Sequence, residues 1–285
     1  MTWPAPELGE RVTVVTGASR GVGRGIALVL GECGATVYVT GRSARVDDTA
    51  GQVTARGGRG IAARTDHTDD AQTEALFARV DREQDGRLDV VVANAWGGYE
   101  GGVEDFTAPF WDQPLERWDA MFTAGLRAQF TAARAAAPLL IRTADGGAPG
   151  LVALTGGTDL TGHYLGNVPY DVVKAASSRL VVALAHELRD HEVAVAGVYP
   201  GFTRTEAVVE AFARQGAQPP AETHSPELVG RAVAALLADP ARMALSGTGR
   251  QAADLARRYG FTDVDGRTVA PFALPDAFRL SSPSS

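Results

Sequence analysis

Residues 12–23, V-T-V-V-T-G-A-S-R-G-V-G, join a short β-branched run to a glycine-rich turn. The run predicts a buried strand at 12–16, and the apolar pattern after the turn predicts a helix at 22–32. Gly17, Gly21 and Gly23 permit a tight turn and let backbone N–H groups approach a phosphate at the helix N-terminus. The spacing G-x-x-x-G-x-G is a variant of the dinucleotide-binding fingerprint, in the strand–turn–helix context that it requires. A plain glycine-rich turn is the competing interpretation.

Short apolar runs and longer helical patterns alternate along the rest of the chain, which is typical of βαβ units. The further predicted strands are residues 36–40, 60–64, 88–93, 151–155 and 193–199, with a seventh near 243–246. The further predicted helices are residues 69–85, 115–143, 170–190 and 226–238. Most of the strands are continuously apolar, as expected in a sheet covered on both faces. We predict one α/β domain over residues 1–285, a Rossmann-type doubly wound sheet of about seven parallel strands with helices on both faces.

Two long irregular stretches, residues 96–114 and 204–225, follow predicted strands. Loops of this length are usually functional, so we expect both to be active-site loops. An aromatic group begins in the first stretch: Trp96, Tyr99, Phe106, Phe110, Trp111 and Trp118. These side chains could line an apolar substrate pocket, form a small core within the loop or make an oligomer contact. The chain ends, residues 1–10 and 280–285, are expected to be flexible.

The composition excludes several classes of protein. A net charge of −7 and a pI near 5.3 provide no basic field to hold nucleic acid or an anionic membrane. No apolar run approaches the ~18 residues of a membrane span, and the N-terminus lacks the pattern of a secretory signal. The single cysteine, Cys33, excludes an internal disulfide framework and suits a reducing compartment. We therefore expect a cytoplasmic protein with no nucleic-acid partner and no membrane span.

The histidines do not form a metal-binding pattern. No two of them have H-x-x-x-H or H-E-x-x-H spacing. They are scattered at His67, His163, His186, His191 and His224. We predict no metal.

The segment Y-D-V-V-K, residues 170–174, places a phenol and an ammonium one helical turn apart. Tyr170 and Lys174 would share one face of a helix. A cation there would favour the phenolate, lowering a tyrosine pKa that is about 10 when unperturbed. Tyr170 is therefore a candidate proton donor and acceptor near neutral pH. The pair alone is a weak signal, because the same spacing occurs on many solvated helix faces.

Charged residues after the second predicted strand indicate which cofactor would bind. Sites specific for NAD usually place Asp or Glu there to bind the ribose 2′-hydroxyl, whereas arginine accommodates a 2′-phosphate. This strand ends V-T-G-R, with Arg42 and no carboxylate, and Arg20 in the glycine loop could contact the same phosphate. Either arginine could instead be a solvated surface residue. Together they favour NADP(H) over NAD(H).

Four motifs together resemble the short-chain dehydrogenase/reductase family. They are T-G-A-S-R-G-V-G at residues 16–23, A-N-A at 93–95, Y-D-V-V-K at 170–174 and Y-P-G-F-T-R-T at 199–205, in the family's order and spacing. A closer resemblance, to the subgroup called short-chain dehydrogenase/reductase family member 1, rests on segments such as A-H-E-L-R and D-L-A-R-R-Y-G-F-T-D-V-D-G-R. It implies an NADPH-dependent carbonyl reductase acting on steroids and xenobiotic ketones. The family commonly forms dimers or tetramers.

The resemblance also implies roles for individual residues. Tyr170 would protonate the carbonyl oxygen, and Lys174 would hydrogen-bond the nicotinamide ribose and depress the Tyr170 pKa. Asn94 matches an asparagine that steadies the central strand and the cofactor, and Asp66 matches an aspartate near the adenine ring. The other cofactor-binding residues would come from the glycine loop and from three strand ends: Gly17, Ser19, Arg20, Gly21, Val22, Gly23, Arg42, Ala95, Pro200, Gly201 and Thr203.

One catalytic residue of the family is missing. The family usually has a serine about a dozen residues before the tyrosine, where this chain has T-G-G-T at residues 155–158. Counting from the strand puts the serine's place at Thr155 or Gly156, and counting back from Tyr170 puts it near Gly157 or Thr158. A threonine hydroxyl can donate the same hydrogen bond, so Thr158, or else Thr155, is the third catalytic candidate. Either threonine could instead satisfy backbone groups at the strand end.

Gly125 stands where the family often has an asparagine that links the lysine to solvent through water. Glycine has no side chain for that relay and costs about 1 kcal/mol in a helix interior relative to alanine. We expect water, or a polar group from elsewhere, to complete the proton path.

These observations predict an NADP(H)-dependent oxidoreductase that reduces an apolar ketone or aldehyde, steroid-like or xenobiotic-like, by hydride transfer. Its expected partners are a small carbonyl or alcohol substrate and further copies of the chain, in a homodimer or homotetramer. The alternative is a non-catalytic NADP(H)-binding regulatory or scaffold protein of the same fold. The missing serine and asparagine favour that alternative, whereas the intact Tyr170 and Lys174 oppose it.

Overall fold

Seven strands form one sheet in the computed structural model, which describes residues 3–98, 106–148, 150–157 and 163–274. In chain order the strands are β1 Val12–Val15, β2 Thr36–Gly41, β3 Arg59–Arg64, β4 Val90–Ala93, β5 Gly150–Leu154, β6 Val193–Tyr199 and β7 Gly249–Gln251. They are hydrogen-bonded in the order β3-β2-β1-β4-β5-β6-β7, and every pair is parallel. The order reverses between β1 and β4, which is the doubly wound arrangement. The predicted fold class is confirmed.

Helices pack on both faces of this sheet. In chain order they are α1 Gly21–Glu32, α2 Arg45–Ala55, α3 Asp70–Glu83, α4 Leu115–Met121, α5 Ala128–Asp145, α6 Val168–Leu188, α7 Glu206–Arg214, α8 Pro226–Ala238 and α9 Ala252–Tyr259. A π-helical segment, Phe122–Arg127, joins α4 to α5. None of these helices is long and apolar enough to cross a membrane.

The strands β1, β4, β5 and β6 are buried at every residue because helices cover both faces of the sheet, whereas the edge strands β3 and β7 each expose arginine. Val90 and Val92 of β4 belong to the core that α1 and α8 cover. Val91 and Ala93 of the same strand belong to the core that α3, α5 and α6 cover. Successive strand residues point to opposite faces, so a strand between two helical layers has no position for a solvated side chain.

The seventh strand differs from its prediction. Residues 243–246 were predicted to form it, but Arg242–Leu245 is a 3₁₀ turn with Leu245 buried, and β7 follows later in the chain. In β7, Gly249 pairs with Gly197 of β6. A Cβ on Gly249 would lie 2.2 Å from Tyr199 Oη, and one on Gly197 would lie 2.5 Å from Tyr199 Cε1. The strand beside β6 therefore needs glycine next to the Tyr199 ring, and the more apolar residues 243–246 contain none.

Three helices, α2, α7 and α9, were not predicted. Helix α7 lies inside the stretch 204–225, which was expected to be a loop, and the Thr205 hydroxyl caps it by accepting the Val208 N–H at 3.3 Å. The buried residues of α2 include Val46, Ala50 and Val53, which have helical spacing. The three helices are short, with 11, 9 and 8 residues, and helical periodicity is read over a window of about 11–18 residues.

Residues 3–10 were expected to be flexible, but they make specific contacts. The Trp3 ring packs edge-on against Phe261 at 5.2 Å between centroids, and the Arg231 guanidinium lies 5.2 Å from the Trp3 ring centroid. Leu8 is buried, and its N–H donates to the Cys33 carbonyl at 2.8 Å. Residues 280–285, and 99–105 of the first loop, lie outside the described residues.

Candidate active site

A cavity of about 1050 Å³ opens at the carboxyl ends of the strands, at the reversal between β1 and β4. Ligands bind open α/β sheets at such a switch point. The lining brings together the sequence-predicted site residues that the structure describes: Gly17, Ser19, Arg20, Gly21, Val22, Gly23, Arg42, Asp66, Asn94, Ala95, Thr155, Tyr170, Lys174, Pro200, Gly201 and Thr203. The other catalytic candidate, Thr158, lies outside the described residues.

The turn after β1 requires its glycines. Gly17 and Gly21 have φ angles of +65° and +59°, in the left-handed region that side chains disfavour. Gly23 has no room for a side chain, because a Cβ there would lie 2.4 Å from both Asn94 Nδ2 and the Gly17 carbonyl oxygen. The backbone at the start of α1 is therefore left bare toward the cavity.

An anion already lies against this helix N-terminus. The Gly21 N–H donates to the Glu206 carboxylate at 2.8 Å, and Arg24 Nη1 lies 3.6 Å from the other carboxylate oxygen. The carboxylate occupies the kind of position that helix N-termini offer to phosphate. The bare glycine turn, the bound anion and the size of the cavity together fit a dinucleotide with its pyrophosphate at α1.

Arginine side chains surround the end of β2. Arg20, Arg42 and Arg45 are exposed and line the cavity there. Asp66 lies in the same region. Burial opposes its ionisation, but hydrogen bonds from Thr68 and the charge of Arg42 hold its pKa below the ordinary value. This end of the cavity therefore carries three arginines and one carboxylate, so positive charge predominates there.

Asn94 connects three strand ends beneath the cavity. Its Nδ2 donates to the carbonyl oxygens of Thr16 at 2.9 Å and Gly17 at 3.2 Å. Its Oδ1 accepts the Thr155 hydroxyl at 3.0 Å, and its backbone N–H donates to the Thr16 hydroxyl at 2.8 Å. Asn94 thus joins the residues that follow β1, β4 and β5.

Helix α6 holds the Tyr170 and Lys174 pair. The Asn167 side chain caps this helix by accepting the Tyr170 N–H at 3.0 Å. The Lys174 Nζ lies 5.1 Å from the Tyr170 ring centroid and 3.7 Å from the Trp96 ring centroid. Burial disfavours the ammonium and lowers the pKa of Lys174 to about 7. The ring face of Trp96 opposes that effect, because an aromatic face attracts a cation.

The lining residues that the sequence did not predict include Arg45, Gln129 and Glu206. Arg45 follows Arg42 closely, so its charge could have been considered together with Arg20 and Arg42 as a contact of the ribose 2′-phosphate. Gln129 lies four residues after Gly125 and therefore on the same helix face. Glu206 had no signal in the sequence, because its contact with the glycine turn joins residues far apart in the chain.

Metal-binding clusters are absent from the described ranges: no group of three or more His, Cys, Asp or Glu side chains is placed to hold an ion. His67, at the edge of the cavity, is buried with Nε2 2.6 Å from the Thr40 hydroxyl. Burial lowers the pKa of His67 to about 4.

Comparison with known proteins decides the family. The family model for short chain dehydrogenase matches residues 11–216. The chain belongs to the short-chain dehydrogenase/reductase family. It is 41% identical to mouse dehydrogenase/reductase SDR family member 1, covering 99% of this chain and 91% of the mouse protein. The human protein of that name is 39% identical, over 94% of this chain and 88% of its own length.

A solved structure supports the same assignment. A metagenomic short-chain oxidoreductase in complex with NADP is 27% identical, with a TM-score of 0.66, covering 82% of this chain and 92% of the other. This short-chain dehydrogenase/reductase is therefore an oxidoreductase of a family that binds nicotinamide cofactors.

The aromatic group of this dehydrogenase/reductase divides into two sets. Trp96 and Phe106 line the cavity, and both rings pack edge-on against Tyr170 at 5.6 Å between centroids. Trp111 is 72% exposed, and Trp118 stacks on Phe122 at 4.3 Å outside the cavity lining. Tyr99 lies outside the described residues. Only part of the group is therefore placed to contact a substrate.

Trp96 explains why residue 125 is glycine. Gly125 lies in the π-helical segment, and a Cβ there would lie 2.8 Å from Trp96 Cζ3 and 3.0 Å from Cε3. The indole therefore fills the space that the family's asparagine would take, and it also covers the Lys174 ammonium. Widened helical turns of this kind often occur at functional sites.

We predict that Gly125→Ala destabilises the protein by about 1–2 kcal/mol, because forcing an extra methyl into a packed core is unfavourable. In most helix interiors the same change stabilises, by roughly 0.5–1 kcal/mol. Urea unfolding measures the difference. In a Trp96→Ala background the indole is gone, so Gly125→Ala should become neutral or stabilising. If Gly125→Ala stabilises the parent protein, the packing argument is wrong.

Proposed function

We propose that this protein is an NADP(H)-dependent reductase that converts an apolar ketone or aldehyde, steroid-like or xenobiotic-like, to an alcohol. The observation that carries the proposal is the position of Tyr170 and Lys174. They share one face of α6 and line the same cavity as the glycine turn. A proton donor thus lies in one continuous space with a site suited to a dinucleotide.

The proposed mechanism gives each residue one task. When bound, the nicotinamide supplies hydride to the carbonyl carbon. Tyr170 donates its phenolic proton to the carbonyl oxygen as the C–O double bond is reduced. Lys174 holds the ribose by hydrogen bonding, and its charge stabilises the phenolate that remains on Tyr170. Trp96 and Phe106 help to hold the phenol in position, because both rings pack edge-on against it.

The other predicted residues would bind the cofactor along the cavity. The glycine turn and the start of α1 would take the pyrophosphate, displacing the Glu206 carboxylate from the Gly21 N–H. Asp66 would face the adenine ring. Pro200, Gly201 and Thr203 would border the nicotinamide at the end of β6.

The substrate end of the cavity supports an apolar substrate. The side chains there come from the first loop, the segment before α6, the residues after β6 and the segment after α9. They are Phe106, Leu165, Phe202, Phe272 and Leu274. Binding sites of this kind are mostly hydrophobic with a few placed polar groups.

We predict that Tyr170→Phe lowers kcat by about 10² to 10⁴-fold, the usual contribution of a general acid. NADPH oxidation across a panel of ketones and quinones measures turnover, and thermal stabilisation by NADPH measures binding. The variant should keep NADPH binding, because the glycine turn and the arginines proposed to hold the phosphates are unchanged. If the parent is stabilised by NADPH but reduces nothing in the panel, the non-catalytic binding protein is correct.

Preference for NADP(H) is proposed to come from the arginines at the end of β2. Loss of one charge-assisted hydrogen bond costs roughly 1.5–3 kcal/mol, so Arg42→Ala should weaken NADPH binding by about ten- to a hundredfold. NADH binding should change little, because NADH has no 2′-phosphate. Fluorescence titration of both cofactors gives the ratio, with the exposed Arg189→Ala as the control. Equal losses for both cofactors would contradict this preference.

We propose that the protein forms a homodimer or homotetramer through the long helices. An apolar depression of about 570 Å³ lies between the π-helical segment, α5 and α6, lined by Phe122, Leu126, Phe130, Leu180 and Ala183 among others. Phe130 is 45% exposed. A large exposed aromatic beside such a depression is typical of an interaction surface.

We predict that Phe130→Glu reduces the oligomer to smaller species, because it places a charge in an apolar contact. Sedimentation equilibrium measures the mass. The control is Val264→Glu, whose parent side chain is 51% exposed on another part of the surface. An unchanged mass for Phe130→Glu would show that this face is not the interface.

A further inference from the structure

The hydroxyl that should hold the substrate carbonyl is not supplied by Thr155. Thr155 is buried, and its hydroxyl proton is already donated to Asn94 Oδ1 at 3.0 Å. Turning it toward a substrate would break the connection between two strand ends. Gly156, the other position given by counting from the strand, has no side chain.

The amide of Gln129 fills the space beside Gly156. A Cβ built on Gly156 would lie 2.1 Å from Gln129 Nε2 and 3.0 Å from both Cδ and Oε1. The amide group therefore occupies the volume in which a side chain of residue 156 would begin. Gln129 reaches this position from the first turn of α5, directly after the π-helical segment.

The Gln129 side chain is buried, and its amide oxygen has no hydrogen-bond partner among the described residues. The exposed fraction of Gln129 is 1%. Most buried polar side-chain atoms are hydrogen-bonded, because an unsatisfied one costs free energy. Gln129 also lines the cavity together with Tyr170 and Lys174. No hydrogen bond to Oε1 fixes the orientation of this amide, so its N–H group is able to turn toward a ligand in the cavity.

We propose that the Gln129 amide N–H donates a hydrogen bond to the substrate carbonyl oxygen, in place of the absent serine. This inference rests on the proposed reductase function. Hydride adds to the carbonyl carbon, the Tyr170 proton passes to the oxygen, and Gln129 keeps its own protons throughout. Because the terminal torsion of glutamine is broad, the amide can turn its N–H toward the oxygen without moving α5.

The first test replaces the amide with a side chain of similar length. Gln129→Met should lower kcat for ketone reduction by about a hundredfold, the loss seen when one donor to a developing oxyanion is removed. NADPH affinity should stay the same, which separates this role from a structural one. Thr131→Val is the matched control. Thr131 lies on α5, its hydroxyl donates to the Ala128 carbonyl, and it does not line the cavity.

The second test restores the serine. Gly156 is not among the glycines with positive φ, so serine suits its backbone. In the parent, Gly156→Ser should lower activity, because its Cβ would collide with the amide. In Gln129→Ala, which clears that space, Gly156→Ser should raise kcat at least about tenfold by supplying a hydroxyl donor. If Gln129→Ala does not fold, the kcat of Gln129→Met alone tests the proposal.

Three outcomes decide between this proposal and its rivals. Full kcat in Gln129→Met overturns it. A collapse of kcat in Thr158→Ala, with Gln129→Met unaffected, assigns the donor to Thr158 instead. A parent protein that reduces no ketone refutes the reductase function itself, whereas an active parent with an unaffected Gln129→Met refutes the role of Gln129 alone.

Discussion

The hydrogen bonds of the Asn94 side chain are the constraint on which the rest of the site depends. One amide joins the carbonyl oxygens after β1 to the hydroxyl after β5, through a residue that follows β4. Parallel strands hold one another along their length, but their carboxyl ends diverge wherever the strand order reverses. Asn94 fills that divergence, and its amide together with the Gly17 carbonyl leaves no room for a Cβ on Gly23. The bare start of α1 is a consequence of the packing beneath it.

Packing of a large side chain against a glycine also accounts for the departures from the family pattern. At Gly125, where the family often has asparagine, and at Gly156, one of the positions counted for the serine, a larger side chain from elsewhere occupies the space. Trp96 lies against Gly125, and the Gln129 amide lies against Gly156. Such pairs are coupled, because either change alone would create a cavity or a collision. The missing serine and asparagine therefore belong to a repacked site and are weak evidence for a lost one.

Much of the fold could be predicted from sequence because its determinants are local. Short apolar runs identified β1 to β6, and the glycine turn identified the end of the cavity that lies at the start of α1. The prediction of the seventh strand was wrong because the Tyr199 side chain requires glycine at residue 249, a contact between residues far apart in the chain. Gln129 was missed for a similar reason. Its importance comes from contact with Gly156 across the fold, and helical periodicity assigns no meaning to one polar residue near a helix start.

The charge of Lys174 links cofactor binding to the readiness of Tyr170. Burial lowers the pKa of Lys174 to about 7, so the buried site disfavours the ammonium that the proposed mechanism needs. Under the proposed function, Lys174 would hold the ribose of an anionic dinucleotide, which would favour the charged form, as the Trp96 ring 3.7 Å away already does. The charged form in turn stabilises a phenolate on Tyr170. Under the proposed function, the Tyr170 phenolate therefore receives its full stabilisation from Lys174 only after the cofactor has bound. This favours an order in which the dinucleotide enters first and the carbonyl compound second.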